Sequence, residues 1–292
     1  MITQFLQFLI SGLVVGCIYA LVAIGFTMIY NATDTVNFAH GESLMLGSYF
    51  ILTTYKIWDL PYPAALVVTL MTAGLLGFIV FDRIVSKPLM EATLLTRVIA
   101  LMGVASVLKG TARLLLGADA YHLAPIFSIR PWVIGGVLVN AQEAAVVGFT
   151  ILIIAALYIF FRFAKLGKAM RATSQNRRSA SLMGVNVAGI FAASWILGTM
   201  LSAFGGVLLG PMLLIDPDMG LIGIKCFSAV VLGGFGSIPG SVVGGVLLGI
   251  VETLVAGYWR AEYQMGATFL LMIGILAVKP TGLLGKPLER KV

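Results

Sequence analysis

Long apolar runs separated by short polar connections dominate this chain. A run of about 20 apolar residues crosses a hydrocarbon core about 30 Å thick. Runs near this length lie at about 5–30, 37–55, 64–82, 97–116, 143–162 and 188–210, and three less regular runs follow near 222–234, 240–257 and 265–279. Because backbone groups in lipid must be hydrogen-bonded within the protein, these runs predict an all-α polytopic transmembrane helix bundle of about eight to nine hydrophobic segments.

Two interruptions break this pattern. Residues 31–42 (NATDTVNFAHGE) form a polar segment, and residues 233–245 (GGFGSIPGSVVGG) join two short apolar runs through a Gly/Pro turn. Unwound backbone at membrane depth is tolerated only where it is buried in protein or lines a cavity. The pattern therefore predicts interrupted or re-entrant helices that line a path for a solute. The predicted path-lining residues are Asn37, His40, Gly41, Glu42, Ser237, Pro239 and Gly240.

A simpler interpretation of the polar segment stays open. Asn37, His40 and Glu42 could cap a helix at the cytoplasmic interface, where a charged side chain reaches water at little cost. An ionised Glu42 at greater depth would cost about 3 kcal/mol unless it were paired, and a functional role would then explain it better. Lys225, at the start of a later apolar run, raises the same question, and the sequence shows no obvious partner for it.

The composition supports the membrane interpretation. Hydrophobic residues make up 60% of the 292 residues, charged residues 11%, and 34 residues are glycine, whereas soluble domains carry roughly 25% charged residues and roughly 7% glycine. Helices in lipid pack through small residues. Pairs of small residues spaced by four occur at Gly12/Gly16, Gly206/Gly210, Gly240/Gly244 and Gly245/Gly249. These pairs predict a tightly packed bundle.

The basic residues predict the orientation of the chain. Lys and Arg are enriched in short cytoplasmic connections of membrane proteins, and here they cluster in residues 83–97, in residues 163–187 and in a tail with Lys286, Arg290 and Lys291. We therefore expect these segments inside, and the N-terminus, residues 117–142 and residues 211–221 outside. The same placement accounts for the net charge of +7 without a basic surface for nucleic acid.

The connection at residues 164–187, AKLGKAMRATSQNRRSASLMGVNV, carries no acidic residue. Its small and apolar residues recur at helical spacing and are followed by a glycine, which predicts a short amphipathic helix that offers one face to a cytoplasmic partner. The residues of this face are Ala169, Ala172, Ala180, Leu182 and Met183, and Gly184 follows them.

Several sites of chemistry are not expected. Cys17 and Cys226 lie within apolar runs without metal or redox spacing and are read as small buried hydrophobes. His122 is read as a surface histidine, because no second metal-type residue stands at ligand spacing. Neither Gly167-Lys168 nor Gly285-Lys286 continues as a Walker A motif. We therefore expect no catalytic residue, no metal and no ATP hydrolysis by this chain itself.

Three long segments carry a resemblance to a known family. They read GCIYALVAIGFTMIYNATDTVNFAHGESLMLGSY, GKAMRATSQNRRSASLMGVN and KCFSAVVLGGFGSIPGSVVGGVLLGIVE. In this order they resemble the signature blocks of LivH-type permeases of branched-chain amino acid ABC importers. The resemblance implies one transmembrane permease domain over residues 1–292, a multi-pass location in a bacterial inner membrane, and a coupling loop at 163–187.

The same resemblance implies the partners and their contacts. It implies a second related permease, two cytoplasmic ATPase subunits that hold ATP and Mg, and an extracytoplasmic binding protein that delivers branched-chain or other small amino acids. The implied ATPase-coupling residues are Lys168, Arg171, Ala172, Arg177, Leu182, Met183 and Gly184. No cofactor is expected in this chain. The competing interpretation is a proton-coupled secondary transporter or channel that uses Glu42 and His40 as a proton relay.

Overall fold

The computed structural model describes residues 2–125, 131–134 and 136–285. Helices dominate this part of the chain. In chain order they are α1 (Ile2–Thr33), α2 (His40–Ile51), α3 (Tyr62–Leu76), α4 (Leu94–Leu116), α5 (Ala141–Phe163), α6 (Lys165–Gln175), α7 (Arg177–Leu182), α8 (Val187–Leu209), α9 (Ile222–Gly233), α10 (Ile238–Tyr258) and α11 (Gln264–Val278). Wider π-helical turns extend α2 through Leu52–Ile57 and α3 through Gly77–Ser86. The predicted helical bundle is confirmed.

Seven helical segments of the described chain are long and apolar enough to cross a membrane. They are Ile2–Thr33, Tyr62–Ser86, Leu94–Leu116, Ala141–Phe163, Val187–Leu209, Ile238–Tyr258 and Ala261–Val278. The other two predicted runs, near 37–55 and 222–234, form α2 with its π-helical extension to Ile57, and the 12-residue α9. These two helices adjoin the two interruptions that the sequence marks. The number of segments that span the bilayer stays a prediction.

The chain divides into two compact units. Unit 1 comprises Met1–Thr27, Ala124–Thr150 and Ile224–Val292, and unit 2 comprises Met28–Leu123 and Ile151–Gly223. Each unit therefore combines segments that are distant in sequence. The prediction of one permease domain over 1–292 stays a prediction, and the predicted inner tail with Lys286, Arg290 and Lys291 lies outside the described residues.

In unit 1, α1 packs against α10 through glycine. A β-carbon on Gly12 would lie 2.7 Å from the Cα atom of Ile250, and one on Gly16 would lie 2.7 Å from the Cα atom of Val246. Gly249 in turn lies against the backbone of Gly16. These distances leave no room for a side chain, so the predicted close packing of the Gly12/Gly16 and Gly245/Gly249 pairs is confirmed.

We expect Gly16→Ala to destabilise the protein by about 1–3 kcal/mol, because the added methyl group would overpack a backbone contact. Gly148→Ala is the matched control, since Gly148 also lies in an apolar helix but has open space where its side chain would be. The melting temperature of each purified variant in the same detergent measures the difference. Equal melting temperatures for the two variants would contradict the close contact of α1 with α10.

In unit 2, α8 is the central helix. The Ser202 hydroxyl donates to the His40 carbonyl at 2.9 Å, and the Ser48 hydroxyl donates to the Gly206 carbonyl at 2.8 Å. Nearer the start of α8, the Phe81 ring stacks on Trp195 with centroids 5.5 Å apart. The apolar core of this unit contains Ile29, Ala39, Phe81, Val85, Leu101 and Trp195.

A short antiparallel hairpin was not predicted from the sequence. Strand β1 (Trp132–Ile134) pairs with β2 (Val137–Val139) in unit 1. The Gly-Gly pair at 135–136 between apolar residues is a hairpin signal that could have revealed it. The Gln7 side chain of α1 holds the hairpin through two hydrogen bonds of 2.9 Å with the backbone of Leu138. The start of α1 and the second strand of the hairpin therefore lie together in unit 1.

Candidate functional site

The polar segment, residues 31–42, covers the end of α1, the unwound link at residues 34–39 and the first turn of α2, all in unit 2. The Asn37 side-chain oxygen accepts a hydrogen bond from the Ala39 amide at 3.0 Å, and the Asn37 carbonyl accepts from the His40 amide at 3.1 Å. Asn37 is 1% exposed and His40 is fully buried. The start of α2 is thus held by Asn37 inside protein rather than by solvent.

The position of His40 along α8 bears on the cap interpretation. Its partner Ser202 lies 15 residues beyond Val187, where α8 begins. At 1.5 Å per residue, this places the start of α2 about 22 Å along α8 from the end joined to the basic loop. A helix cap at that end of the bundle would lie near residue 187 instead, so the geometry favours a buried role for His40.

Two polar groups of this segment are unsatisfied. The Asn37 side-chain nitrogen and one Glu42 carboxylate oxygen are buried without a hydrogen-bond partner among the described residues. The Glu42 carboxylate also occupies the space next to Gly220, where both of its oxygens would lie 2.5 Å from a β-carbon. Buried polar groups are normally paired, so this amide nitrogen and this carboxylate oxygen are available to a polar solute.

The Gly/Pro turn belongs to unit 1. The Ser237 hydroxyl accepts from the Gly240 amide at 3.1 Å and caps α10, while Pro239 is exposed in the first turn of that helix. Gly240 packs against the backbone of Gly233. Ser237 and Gly240 therefore have structural roles in starting α10. The proposed path-lining role of Ser237, Pro239 and Gly240 stays a prediction.

The basic loop at 163–187, in unit 2, contains two helices rather than the single helix predicted. The backbone of Asn176 adopts an extended conformation (φ −156°), which ends α6 at Gln175. The Asn176 side chain then caps α7 by accepting from the Ser179 amide at 2.9 Å. Asparagine competes for backbone hydrogen bonds in this way and favours caps over helix interiors. The prediction of one continuous amphipathic helix was therefore wrong.

The structure also redistributes the apolar face of the loop. Ala180 is buried at 5% exposure within the chain's own fold, so the prediction that it belongs to an outward face was wrong. Leu182 and Met183, by contrast, are 82% and 85% exposed. Gly184 follows with φ +84°, a left-handed conformation that reverses the chain after α7. Lys168, Arg171 and Ala172 are exposed on α6.

One basic residue of the loop anchors it to the rest of unit 2. The Arg177 guanidinium pairs with Asp34 at 2.7 Å and lies 5.1 Å from the centroid of the Phe191 ring. Arg97 donates to the Thr35 hydroxyl at 3.0 Å at the same end. The end of α1, the 83–97 connection and the basic loop therefore meet at one end of unit 2, which agrees with the predicted topology.

Sequence reasoning missed a buried ion pair in unit 1. The Lys225 ammonium on α9 pairs with the Glu252 carboxylate on α10, and the Glu252 side chain is 4% exposed. The sequence showed no obvious partner for Lys225, and the structure supplies Glu252. A signal was present, because each of these two neighbouring apolar runs contains a single charged residue, and opposite charges within a membrane helix bundle pair with one another.

The opposite end of unit 2 holds an exposed charge cluster. Asp218 pairs with Lys109 at 2.5 Å and with Arg113 at 3.3 Å. The hydrogen bond and the charge of Lys109 lower the pKa of Asp218 below its usual range. Beside the cluster lies a cavity of about 570 Å³, lined by His122, Pro211, Met212, Leu213, Leu214, Asp216, Asp218, Met219 and Ile222.

The structure also places the two cysteines and the histidine for which no metal or redox role was expected. Cys17 and Cys226 are buried free thiols, as predicted. The exposed His122 lines the cavity, and its backbone carbonyl accepts from the Lys56 ammonium at 3.2 Å. Within the described ranges, no group of three or more His, Cys, Asp or Glu side chains could hold a metal ion.

These features define a multi-pass helical membrane protein with a buried polar segment within one unit. Residues 8–276 match the family model described as branched-chain amino acid transport system / permease component. The chain belongs to this family.

Curated relatives extend over nearly the whole chain. The high-affinity branched-chain amino acid transport system permease protein LivH of Escherichia coli K12 is 36% identical over 306 residues, covering 99% of this chain and 98% of LivH. The corresponding permease BraD of Pseudomonas aeruginosa is 34% identical over 307 residues, covering 100% and 99% of the two chains. The resemblance to LivH-type permeases is confirmed.

A solved structure shows the same fold. The chain resembles PsaBC from Streptococcus pneumoniae in complex with Fab, with a TM-score of 0.52 over 96% of this chain and 97% of that chain. The sequence identity is 14%, so this likeness concerns the fold alone.

Proposed function

We propose that this chain is the membrane-spanning permease subunit of an ABC importer, and that it translocates branched-chain or other small amino acids delivered by a binding protein. The observation that carries the proposal is the family match over residues 8–276, together with relatives named as branched-chain amino acid permeases that align over their full length. The chain lies in a bacterial inner membrane. It performs no covalent chemistry and needs no cofactor of its own.

The polar segment supplies the groups that such a permease needs. A small amino acid carries an ammonium and a carboxylate, and both must exchange water for protein groups as the solute passes. The buried Asn37 amide and the Glu42 carboxylate offer a donor and an acceptor without partners in the described chain. We place the path along Asn37, His40, Gly41 and Glu42, and along Ser237, Pro239 and Gly240 in the other unit.

The basic loop supplies the contact with an energy source. An adjacent pair of exposed apolar side chains, Leu182 and Met183, fits a hydrophobic groove of a partner protein. The partners that we propose are two cytoplasmic ATPase subunits, which hold ATP and Mg, a second related permease and an extracytoplasmic binding protein. Lys168, Arg171 and Ala172 are exposed on α6 of the same loop, and Gly184 directly follows the exposed pair. Arg177 fixes the loop to Asp34. ATP-driven movement of this loop would rock the helices between outward and inward openings.

The alternative function is a proton-coupled secondary transporter or channel with Glu42 and His40 as the relay. The buried polar segment favours this alternative as much as it favours the importer. The exposed Leu182 and Met183 do not, because a secondary transporter needs no docking element for an ATPase. Copurification of an ATPase with this chain, and uptake that resists a protonophore but requires ATP, would separate the two functions.

We expect Glu42→Gln to insert normally and to reduce uptake about tenfold, because it removes a charge-assisted contact worth about 1.5 kcal/mol to the solute. The measurement is ATP-dependent uptake of radiolabelled leucine into proteoliposomes that contain the copurified complex. Glu262→Gln is the matched control, since Glu262 is 77% exposed at the start of α11. Unchanged uptake in both Glu42→Gln and His40→Ala would support the interfacial cap and remove the polar segment from the path.

A further inference from the structure

Residues 215–223, which connect α8 to α9, cover the N-terminal turn of α2 within unit 2. A short 3₁₀ turn, Met219–Leu221, lies at the centre of this segment. A β-carbon on Gly41 would overlap the Gly220 carbonyl, and one on Gly223 would lie 2.8 Å from the Gly41 nitrogen. The segment and the helix therefore meet backbone to backbone, which requires glycine on both sides.

The same segment closes over the charged group of the polar segment. The Glu42 carboxylate fills the space where a side chain of residue 220 would lie, with both oxygens 2.5 Å from the position of a β-carbon. Movement of Gly220 away from α2 would uncover Glu42 and the first turn of α2 together. Residues 215–223 thus stand between these groups and the end of unit 2 that we place outside.

Ion pairs hold this segment to α4. Lys109 and Arg113 lie one helical turn apart, so both cations face the same carboxylate, Asp218, at 2.5 and 3.3 Å. The Asp216 carboxylate accepts from the Asp218 amide at 2.6 Å and fixes the turn that presents Asp218. The N-terminal end of the segment is held separately. There, Ile215 exchanges two backbone hydrogen bonds of 2.8 and 2.9 Å with Tyr121.

The ion pairs are the part of this arrangement that can open. The side chains of Asp218 and Arg113 are 55% and 49% exposed, and exposed ion pairs are weak and screened by salt. The backbone bridge at Ile215 depends on neither salt nor a side chain. The backbone bridge therefore suits a fixed end at Ile215, and the ion pairs suit a releasable contact at Asp218, although the Lys109 side chain is 28% exposed.

We propose that residues 215–223 form a latch that closes the outer side of the polar segment, and that the pairs of Asp218 with Lys109 and Arg113 hold it shut. The proposal rests on the proposed function for the meaning of the path, but its geometry belongs to unit 2 alone. A protein that docks at this end could open the latch by competing for Asp218 or for the two cations.

The test measures access to α2 from outside. Ser43→Cys, at a position 1% exposed beside Glu42, is placed in a background with Cys17→Ala and Cys226→Ala, and a membrane-impermeant thiol reagent is added to intact cells. We expect Asp218→Asn to raise the labelling rate about three- to fivefold, the factor that corresponds to the loss of an exposed ion pair. Asp218→Glu, which keeps the charge, should label at close to the parent rate.

Asp119→Asn is the matched control, because Asp119 is an exposed acidic residue in the other connection at this end. A labelling rate that is equal in Asp218→Asn and the parent would overturn the proposal. So would an equal increase in Asp119→Asn, or labelling from the cytoplasmic side alone. Labelling reports access to α2 from outside and uptake reports transport, so both measured in the same cells distinguish a failure of the latch from a failure of the proposed function.

A second measurement needs no introduced cysteine. Hydrogen exchange on the purified complex should show faster exchange at the amides of Met219–Leu221 in Asp218→Asn than in the parent or in Asp119→Asn. High salt should raise the exchange rate of these amides in the parent towards the rate in Asp218→Asn, because screening weakens the same ion pairs. Identical exchange in all three proteins would overturn the latch even if Ser43→Cys failed to insert.

Discussion

Replacing Leu182 and Met183 together with glutamate should leave the bundle folded and abolish copurification of ATPase subunits. Both side chains are more than four-fifths exposed, so neither contributes to the packing of the chain's own helices. A charge buried at a protein interface without a partner costs several kcal/mol. We therefore expect at least a hundredfold loss of binding, and a similar loss of ATP hydrolysis stimulated by the binding protein.

The matched control for this variant is Ser174→Glu with Gln175→Glu. It adds the same two charges to the same loop at exposed positions of α6, away from the apolar pair. The control should retain its ATPase subunits and its stimulated hydrolysis within a few-fold of the parent. The docking role of the loop would be wrong if the Leu182/Met183 variant, with its melting temperature unchanged, purified with a full complement of ATPase.

Removing the carboxylate of Glu252 should destabilise the protein by about 3 kcal/mol. Glu252→Ala leaves the Lys225 ammonium without its partner, and breaking one side of a buried pair is more harmful than removing both. The Lys225 side chain is 20% exposed, which places the effect at the lower end of the usual range for such pairs. We expect a lower melting temperature and a lower yield of monodisperse protein.

A double variant and an exposed pair provide the comparison. Lys225→Ala with Glu252→Ala should recover much of the lost stability, because no unpaired charge remains. Glu262→Ala should cost between 0 and about 1 kcal/mol, since its partner Arg260 is 3.9 Å away and both side chains are more than two-thirds exposed. If the double variant were as unstable as the sum of its two single variants, the pair would have no compensating role.

Much of the fold could be predicted because the relevant signals are local in sequence. The length of an apolar run and the spacing of Gly12 from Gly16 are properties of single segments. The first decides whether a helix can span the bilayer, and the second allows close packing of helices in lipid. The break at Asn176 is also local, yet it was missed, because basic and small residues on both sides suit one helix. Asparagine at that point was the available signal.

The candidate site was predictable only in part. The polar segment and the Gly/Pro turn were found because they interrupt apolar runs. The position of His40 along α8 could not be predicted, because it depends on a hydrogen bond from Ser202, which lies 162 residues away in sequence. The predicted outward face of the basic loop was correct for Leu182 and Met183 and wrong for Ala180. The exposure of these residues depends on how α7 packs against the rest of unit 2.

The amino-acid sequence alone identifies a multi-pass helical membrane protein of the permease family, with a basic loop and two interrupted segments. Composition and motif order suffice for these conclusions, because they reflect the surrounding lipid and the local backbone. The contacts of Lys225 with Glu252, of Asp218 with Lys109 and Arg113, and of Gly220 with Glu42 are visible only in the folded chain. The sequence does not specify which residue a given charge or glycine will contact. These partners depend on the packing of helices that are distant along the chain.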